Sequence, residues 1–293
     1  MPRGGIVLAW APRLTPALIG VATAALFTAL ALTSSLSTPF LAWDSHAYWT
    51  ALRSADPYTG VGVGEIGAFL YPPPFLQFLA PAGLLPWPVF LFAWTSILAT
   101  ACVSLLRRVP DRFAWMMPLL VYMGGADVWA GNINVLLAYA IVIGLERPAL
   151  WSVVALTKLT PGVGALWHAF RREWRAVGIA AATTGGLALL SWAMAPHLWR
   201  EWIEAVVFGS SIDGFSQAVP IPLAVRLPLA IGLLWWGARI GRLAVVPLAC
   251  LLALPVIWFN GFALVLGSAV LQDLRVGRSG ERAVWDSNPR HED

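Results

Sequence analysis

Residues 17–36 read ALIGVATAALFTALALTSSL, and this run decides the fold. It carries no charged side chain, and about 20 apolar residues are what a helix needs to cross a bilayer core. Arg3 and Arg13 precede it. A cleaved signal peptide would have a shorter apolar core and a clear small-x-small cut site. The run therefore reads as a retained first transmembrane helix whose N-terminus lies in the cytoplasm.

Apolar runs of this kind recur as far as residue 271. Of the 293 residues, 59% are hydrophobic and only 12% charged, where a soluble domain carries about 25%. Mean hydropathy is +0.72. The chain is expected to be an all-α, polytopic membrane protein with room for about eight to ten spanning helices. A transmembrane barrel is excluded, because the runs do not alternate with period two. The net charge of +4 comes from scattered arginines with no basic block, so nucleic acid is not an expected partner. The arginines fit loops that face anionic headgroups, and membrane lipids are the surroundings. The 17 tryptophans fit the aromatic belts at both interfaces. Cys102 and Cys250 sit inside apolar runs and read as small buried hydrophobes.

The expected organisation is a membrane-embedded body over residues 1–272 and a polar cytoplasmic tail over 273–293, poorly ordered. Two polar stretches interrupt the body, at 37–67 and 196–220. A helix is expected from about Pro72 to Pro86, since the three consecutive prolines of LYPPPF suit a first helical turn. Others are expected at about 88–106, 113–126, 132–145, 149–169 and 176–195, with two or three more in 221–271. Seven alternating crossings put both polar stretches on the outer face and RREWR (171–175) inside, as the positive-inside rule requires. The same count puts Arg107, Arg108, Arg112 and Arg147 outside, against the rule. One re-entrant short segment would remove the conflict.

Ionisable groups at membrane depth cost about 2.5–3.5 kcal/mol each and are functional suspects. Lys158 is the only lysine, deep inside VVALTKLTPGVGALW. Pro161 frees the carbonyl of Thr157 from its helical bond. A cation beside a helix break suits an anionic ligand such as a phosphate; a structural ion pair with a buried acid is the alternative. Asp44 and His46 lie in WDSHAYW, just past the first helix. Asp44 could cap an interfacial helix through HAYWTALRSA, and it could also take a proton from a sugar hydroxyl. The break Gly131-Asn132-Ile133-Asn134 is either a helix-ending turn or a set of amides lining a polar cavity. His168 reads as an ordinary interfacial residue. Arg200, Glu201 and Glu204 read as a solvated helix face. His197, Asp213 and Gln217 are candidate acceptor contacts. No nucleotide-binding, zinc or nucleophile-elbow motif is present, so a polytopic enzyme of this kind would use substrates already in the membrane.

The order of these signals resembles one family. An Asp follows helix one, LYPPPF opens helix two, GNIN breaks the middle, and KLTPGVGALWHAFRREWR supplies a lysine, a proline and a basic end. This looks like glycosyltransferase family 87, membrane transferases of the C-type superfamily. The likeness spans roughly residues 40–175, is only partly echoed by FSQ (215–217), and is slight beyond 221. It implies the C-type fold with two large outer loops, here 37–67 and 196–220. It implies a polyprenyl-phosphate sugar as donor, with mannose the sugar the family resemblance favours, and a glycolipid or glycan hydroxyl as acceptor. Asp44 matches the family's acid, the general base, and inversion at the anomeric carbon follows from one attack. Lys158 stands where the family motif has its lysine, and its charge suits the donor phosphate. His46 and Arg53 could assist. Tyr48, Tyr71, Asn132 and Asn134 could line the sugar pocket. No metal or other cofactor is required. The setting implied is a bacterial plasma membrane with the site facing outward. Polyprenyl-phosphate arabinofuranose is an alternative donor, and a carrier or flippase for a lipid-linked sugar is an alternative activity.

Overall fold

The computed structural model describes residues 14–33, 41–59, 67–208, 219–275 and 284–285. Its helices in chain order are α1 (Leu14–Thr33), α2 (Trp43–Ala51), α3 (Pro73–Leu79), α4 (Trp87–Leu106), α5 (Met117–Ala130), α6 (Asn134–Gly144), α7 (Trp151–Thr157), α8 (Leu166–Phe170), α9 (Trp174–Met194), α10 (Pro196–Ile203), α11 (Leu223–Ile240), α12 (Val245–Leu252) and α13 (Val265–Val270). The expected all-helical, polytopic body is present. In the tail, Leu274–Arg275 pairs antiparallel with Val284–Trp285; the rest of the tail beyond 275 lies outside the described residues.

Among the described residues, α1, α4, α9 and α11 are long and apolar enough to cross a membrane. The prolines set several starts. Pro88 stands in the first turn of α4, Pro73 in that of α3 and Pro196 in that of α10, where an amide proton would go unpaired anyway. The outer surfaces of the long helices are apolar: Leu18 is 68% exposed on α1 and Leu189 is 67% exposed on α9. Side chains of this kind belong against lipid tails, and only 11% of the most apolar window of α9 is buried within the protein. α1 and α4 run antiparallel and close, since a methyl group at Gly20 would collide with Thr100 of α4. Small residues permit such approach where lipid competes equally for larger ones.

The remaining apolar runs are shorter or broken, and they fold back on themselves. α5 and α6 meet at a bend of 120°. α7 stops at Thr157, where Lys158 turns extended (φ −133°, ψ 106°), and a 3-10 turn over Thr160–Ala165 leads into α8. The chain then returns alongside α7: Gly164 packs on Trp151, and Trp151 Nε1 donates to His168 Nε2 at 3.2 Å. α12 and α13 make a similar pair, with Gly267 packed on Pro247 and Gly261 on Leu254. These hairpins explain why the expected helices at 113–126, 132–145 and 149–169 are short or broken. Their apolar arms form the core, with Leu137, Ile141, Val154, Val246, Leu264 and Leu266 fully buried together with Leu98 of α4 and Leu234 of α11. Their tips carry the polar residues.

Two smaller readings change. His168 is not an interfacial residue: it is 1% exposed and links Trp151 to Glu173 through Nδ1 at 2.7 Å. Arg226, which drew no attention in the sequence, is buried and donates to the carbonyls of Ile221, Leu252, Leu254 and Pro255. It thereby closes the broken end of α12 and the turn that follows.

Candidate active site

The site begins at a glycine. α5 ends with Gly131 in the left-handed region (φ 73°), and a side chain there would strike Ser45 of α2. α2 lies directly on this elbow. Ala42, itself left-handed (φ 59°), donates its N–H to the Trp129 carbonyl at 2.8 Å and starts the helix. Trp94 Nε1 holds the Gly131 carbonyl at 2.7 Å from the other side. Asp44, in the first turn of α2, is thus set against the Asn132–Asn134 turn.

Asp44 does not cap its helix. The N-cap is Ala42, with no side-chain bond. Instead Asp44 Oδ2 accepts from Asn132 Nδ2 at 2.9 Å and from Asn260 Nδ2 at 3.1 Å. Among the described residues its Oδ1 accepts no hydrogen bond. Burial raises the Asp44 pKa above the ordinary carboxylate value, against the Asn132 bond, the Lys158 charge and the Asn260 bond, which lower it. The result is a carboxylate with one oxygen anchored, one available, and a basicity higher than that of an exposed aspartate.

Lys158 reaches the same turn from the tip of its hairpin. Its Nζ donates to Asn134 Oδ1 at 2.7 Å and to Asn132 Oδ1 at 3.3 Å, with the Tyr71 ring 5.7 Å away. Among the described residues no carboxylate lies within salt-bridge distance of it, so the direct ion pair is not what the lysine makes. An ammonium has three protons, and two are used here. Asn132 is the shared element: its nitrogen faces Asp44 and its oxygen faces Lys158. Base and cation are one amide apart.

A family model described as glycosyltransferase family 87 matches residues 69–272. The chain belongs to this family. It is therefore a membrane glycosyltransferase. The match extends through α11–α13, so the family likeness, expected to be slight beyond 221, reaches the C-terminal hairpin. It begins after α2, and Asp44 lies outside it. No curated protein and no solved structure matches the chain.

Of the residues expected at a glycosyltransferase site, Asp44, Lys158, Asn132, Asn134 and Tyr71 meet. Tyr71 OH lies 3.4 Å from Asn132 Oδ1. Tyr48 stands behind it, 1% exposed, its hydroxyl 2.6 Å from that of Tyr71, so it supports Tyr71 and does not face the opening. His46 points away from Asp44, exposed, against Trp87 with ring centroids 5.1 Å apart. Arg53 donates to the Gly83 carbonyl at 2.9 Å and covers Trp49. His197 is exposed on α10. None of these three touches the cluster, because each occupies a different helix face or element. Arg200 and Glu204 are a solvated pair, 74% and 62% exposed. Asp213 and Gln217 lie outside the described residues.

Two members were missed. Asn260 follows the break after α12, in WFNGF, and a lone amide in an apolar run was its only signal. Asp127 is fully buried near the end of α5 and accepts from Asn134 Nδ2 and from Val135 N. An open cleft of about 680 Å³ lies elsewhere, between Leu145–Pro148 and Arg172–Ile179, and is lined by none of these residues.

Proposed function

We propose that the protein transfers a hexose, taken as mannose from the family resemblance, from a polyprenyl-phosphate donor to a hydroxyl of a glycolipid or polysaccharide. Asp44 Oδ1 takes the proton of the acceptor hydroxyl. The acceptor oxygen attacks the anomeric carbon from the face opposite the phosphate, and the carbon–oxygen bond to the phosphate breaks. Configuration inverts. Lys158 stabilises the charge that grows on the leaving phosphate, using the N–H that no described residue receives. General-base assistance contributes about 10²–10⁴-fold, and a placed donor at developing charge about 10²–10³-fold. Tyr71 and Asn132 form the wall next to the sugar, with Asn134, 1% exposed, behind them.

The observation that carries this reading is the shared amide of Asn132, which sets a carboxylate and an ammonium on one patch. Both groups are half-buried, neither sealed from ligand nor fully in solvent.

The hairpins support a site that faces outward from the membrane, taken as a bacterial plasma membrane from the family resemblance. Arg107 and Arg108 end α4, Arg112 and Arg147 flank the α5–α6 hairpin, and Arg239 and Arg242 end α11. Arg171 joins this end of the protein by donating to the Ala238 carbonyl. Asp44 and the hairpin tips stand at the other end. With the hairpins dipping in from the arginine side, all of these arginines are cytoplasmic and the conflict with the positive-inside rule disappears. Irregular backbone at such tips is tolerated at membrane depth where it lines a polar site.

The test is to incubate membranes containing the protein with radiolabelled polyprenyl-phosphate mannose and a glycolipid acceptor. Wild-type protein forms labelled product with inverted linkage, and Asp44→Asn forms at least 100-fold less, the lower end of a general-base effect. Equal product from both would remove Asp44 as base. Movement of labelled lipid across the bilayer with no product would make the protein a carrier.

A further inference from the structure

Two carboxylates flank Lys158, and each acts through an amide. Asp44 takes the nitrogen of Asn132, and Asp127 takes the nitrogen of Asn134 at 2.9 Å. An ionised carboxylate only accepts and an ammonium only donates. An asparagine held between them must therefore turn its nitrogen to the acid and its oxygen to the lysine. The second oxygen of Asp127 receives Val135 N at 2.7 Å, so the same side chain also fixes the start of α6. Asp127 is fully buried, touches neither Lys158 nor the open side of the patch, and has no role in the mechanism above.

We propose that Asp127 is a positioning residue: it orients the Asn134 amide so that its oxygen anchors the Lys158 ammonium for the donor phosphate. This rests on the reading of Lys158 as the phosphate cation. The 2.7 Å bond from Lys158 to Asn134 is the shorter of its two, so Asn134, and hence Asp127, sets where the ammonium sits. In Asp127→Asn the constraint on the amide is lifted. The Asn134 oxygen can turn toward the new amide nitrogen, leaving an N–H pointing at an ammonium. In Asp127→Asn/Asn134→Asp every hydrogen bond can still be made, but the negative charge moves into direct contact with Lys158 and neutralises it.

The experiment uses the purified full-length protein in lipid nanodiscs and titrates polyprenyl phosphate, with the matching polyprenol as the uncharged control. Donor and acceptor KM are measured in parallel. Asp127→Asn is expected to weaken polyprenyl-phosphate binding about ten- to a hundredfold, the loss of one charge-assisted hydrogen bond. The double variant is expected to lose the preference for phosphate over alcohol while keeping the wild-type unfolding temperature within a few degrees. In both, donor KM rises and acceptor KM holds. A purely structural Asp127 would lower the unfolding temperature of the single variant and leave the affinity of the folded protein, and the donor–acceptor split, as in wild type; that result overturns the proposal. Should the single variant not fold, a double variant that binds phosphate like wild type overturns it equally. Wild-type protein that does not distinguish phosphate from alcohol would sink the reading of Lys158 itself, a separate outcome, and the positioning role with it.

Discussion

Replacing Lys158 with Met keeps most of the side chain's length and removes its charge. The wild-type ammonium donates to Asn134 Oδ1 at 2.7 Å and Asn132 Oδ1 at 3.3 Å. Two separate losses follow. Asn132 Oδ1 keeps the Ile133 N–H at 2.7 Å, but Asn134, 1% exposed, is left with an oxygen that has no donor. An unsatisfied buried oxygen costs about 1–3 kcal/mol of stability. The transition state loses the cation beside the leaving phosphate, worth about 2.7–4 kcal/mol, or 10²–10³ in kcat. The stability loss is read by thermal unfolding in detergent with added lipid. The catalytic loss is read from initial rates with labelled donor on the monodisperse, folded fraction. Lys158→Arg is expected to recover little, because a planar guanidinium cannot replace a compact ammonium held by two converging oxygens. The expected pattern is a kcat loss of at least 100-fold with acceptor KM nearly unchanged. Folded Lys158→Met protein that turns over within about threefold of wild type would refute the reasoning, since no transition-state interaction would then have been lost.

Other predictions follow from the same contacts. Because burial holds the Asp44 pKa above its unfolded value, the folded state binds that proton more tightly, and the ionised group costs stability once pH has risen through the folded pKa; Asp44→Asn should therefore unfold at or above the wild-type temperature at neutral pH while losing activity. The acid limb of kcat/KM should lie above the ordinary carboxylate range, and Asn260→Leu, which removes a bond that lowers the pKa, should move it to higher pH in a rate profile. Gly131→Ala should destabilise by about 2 kcal/mol or more, from the left-handed backbone and the collision with Ser45, as seen by thermal unfolding. Arg226→Met should cost about 3 kcal/mol or more, because buried carbonyls of the α12 turn lose their donors. His46→Ala should leave transfer within about threefold of wild type, its ring lying against Trp87 and away from the acid.

The apolar runs, the single lysine beside Pro161 and the acid after the first helix were legible in the sequence, because hydropathy and helix breaks are local properties of the chain. Sequence reading also gave the membrane setting and the family, and it singled out the GNIN turn. It could not tell a run that crosses from one that turns back: a hairpin arm and a spanning helix have the same composition, and the difference lies in whether Trp151 meets His168 or Pro247 meets Gly267. Nor could it show that Asp44 faces the turn while His46 and Arg53, its neighbours along the chain, do not.

What tertiary structure alone decided is the convergence. Asp44 meets Asn132 across 88 residues and Asn260 across 216, while Lys158 reaches Asn134 across 24. No local pattern encodes such distances; they arise from the packing of the hairpin arms, whose buried apolar faces fix where the tips can be. Asp127 and Asn260 were invisible for the same reason. The sequence determined which groups could not rest in lipid unpartnered, and the packing determined which of them became one another's partners.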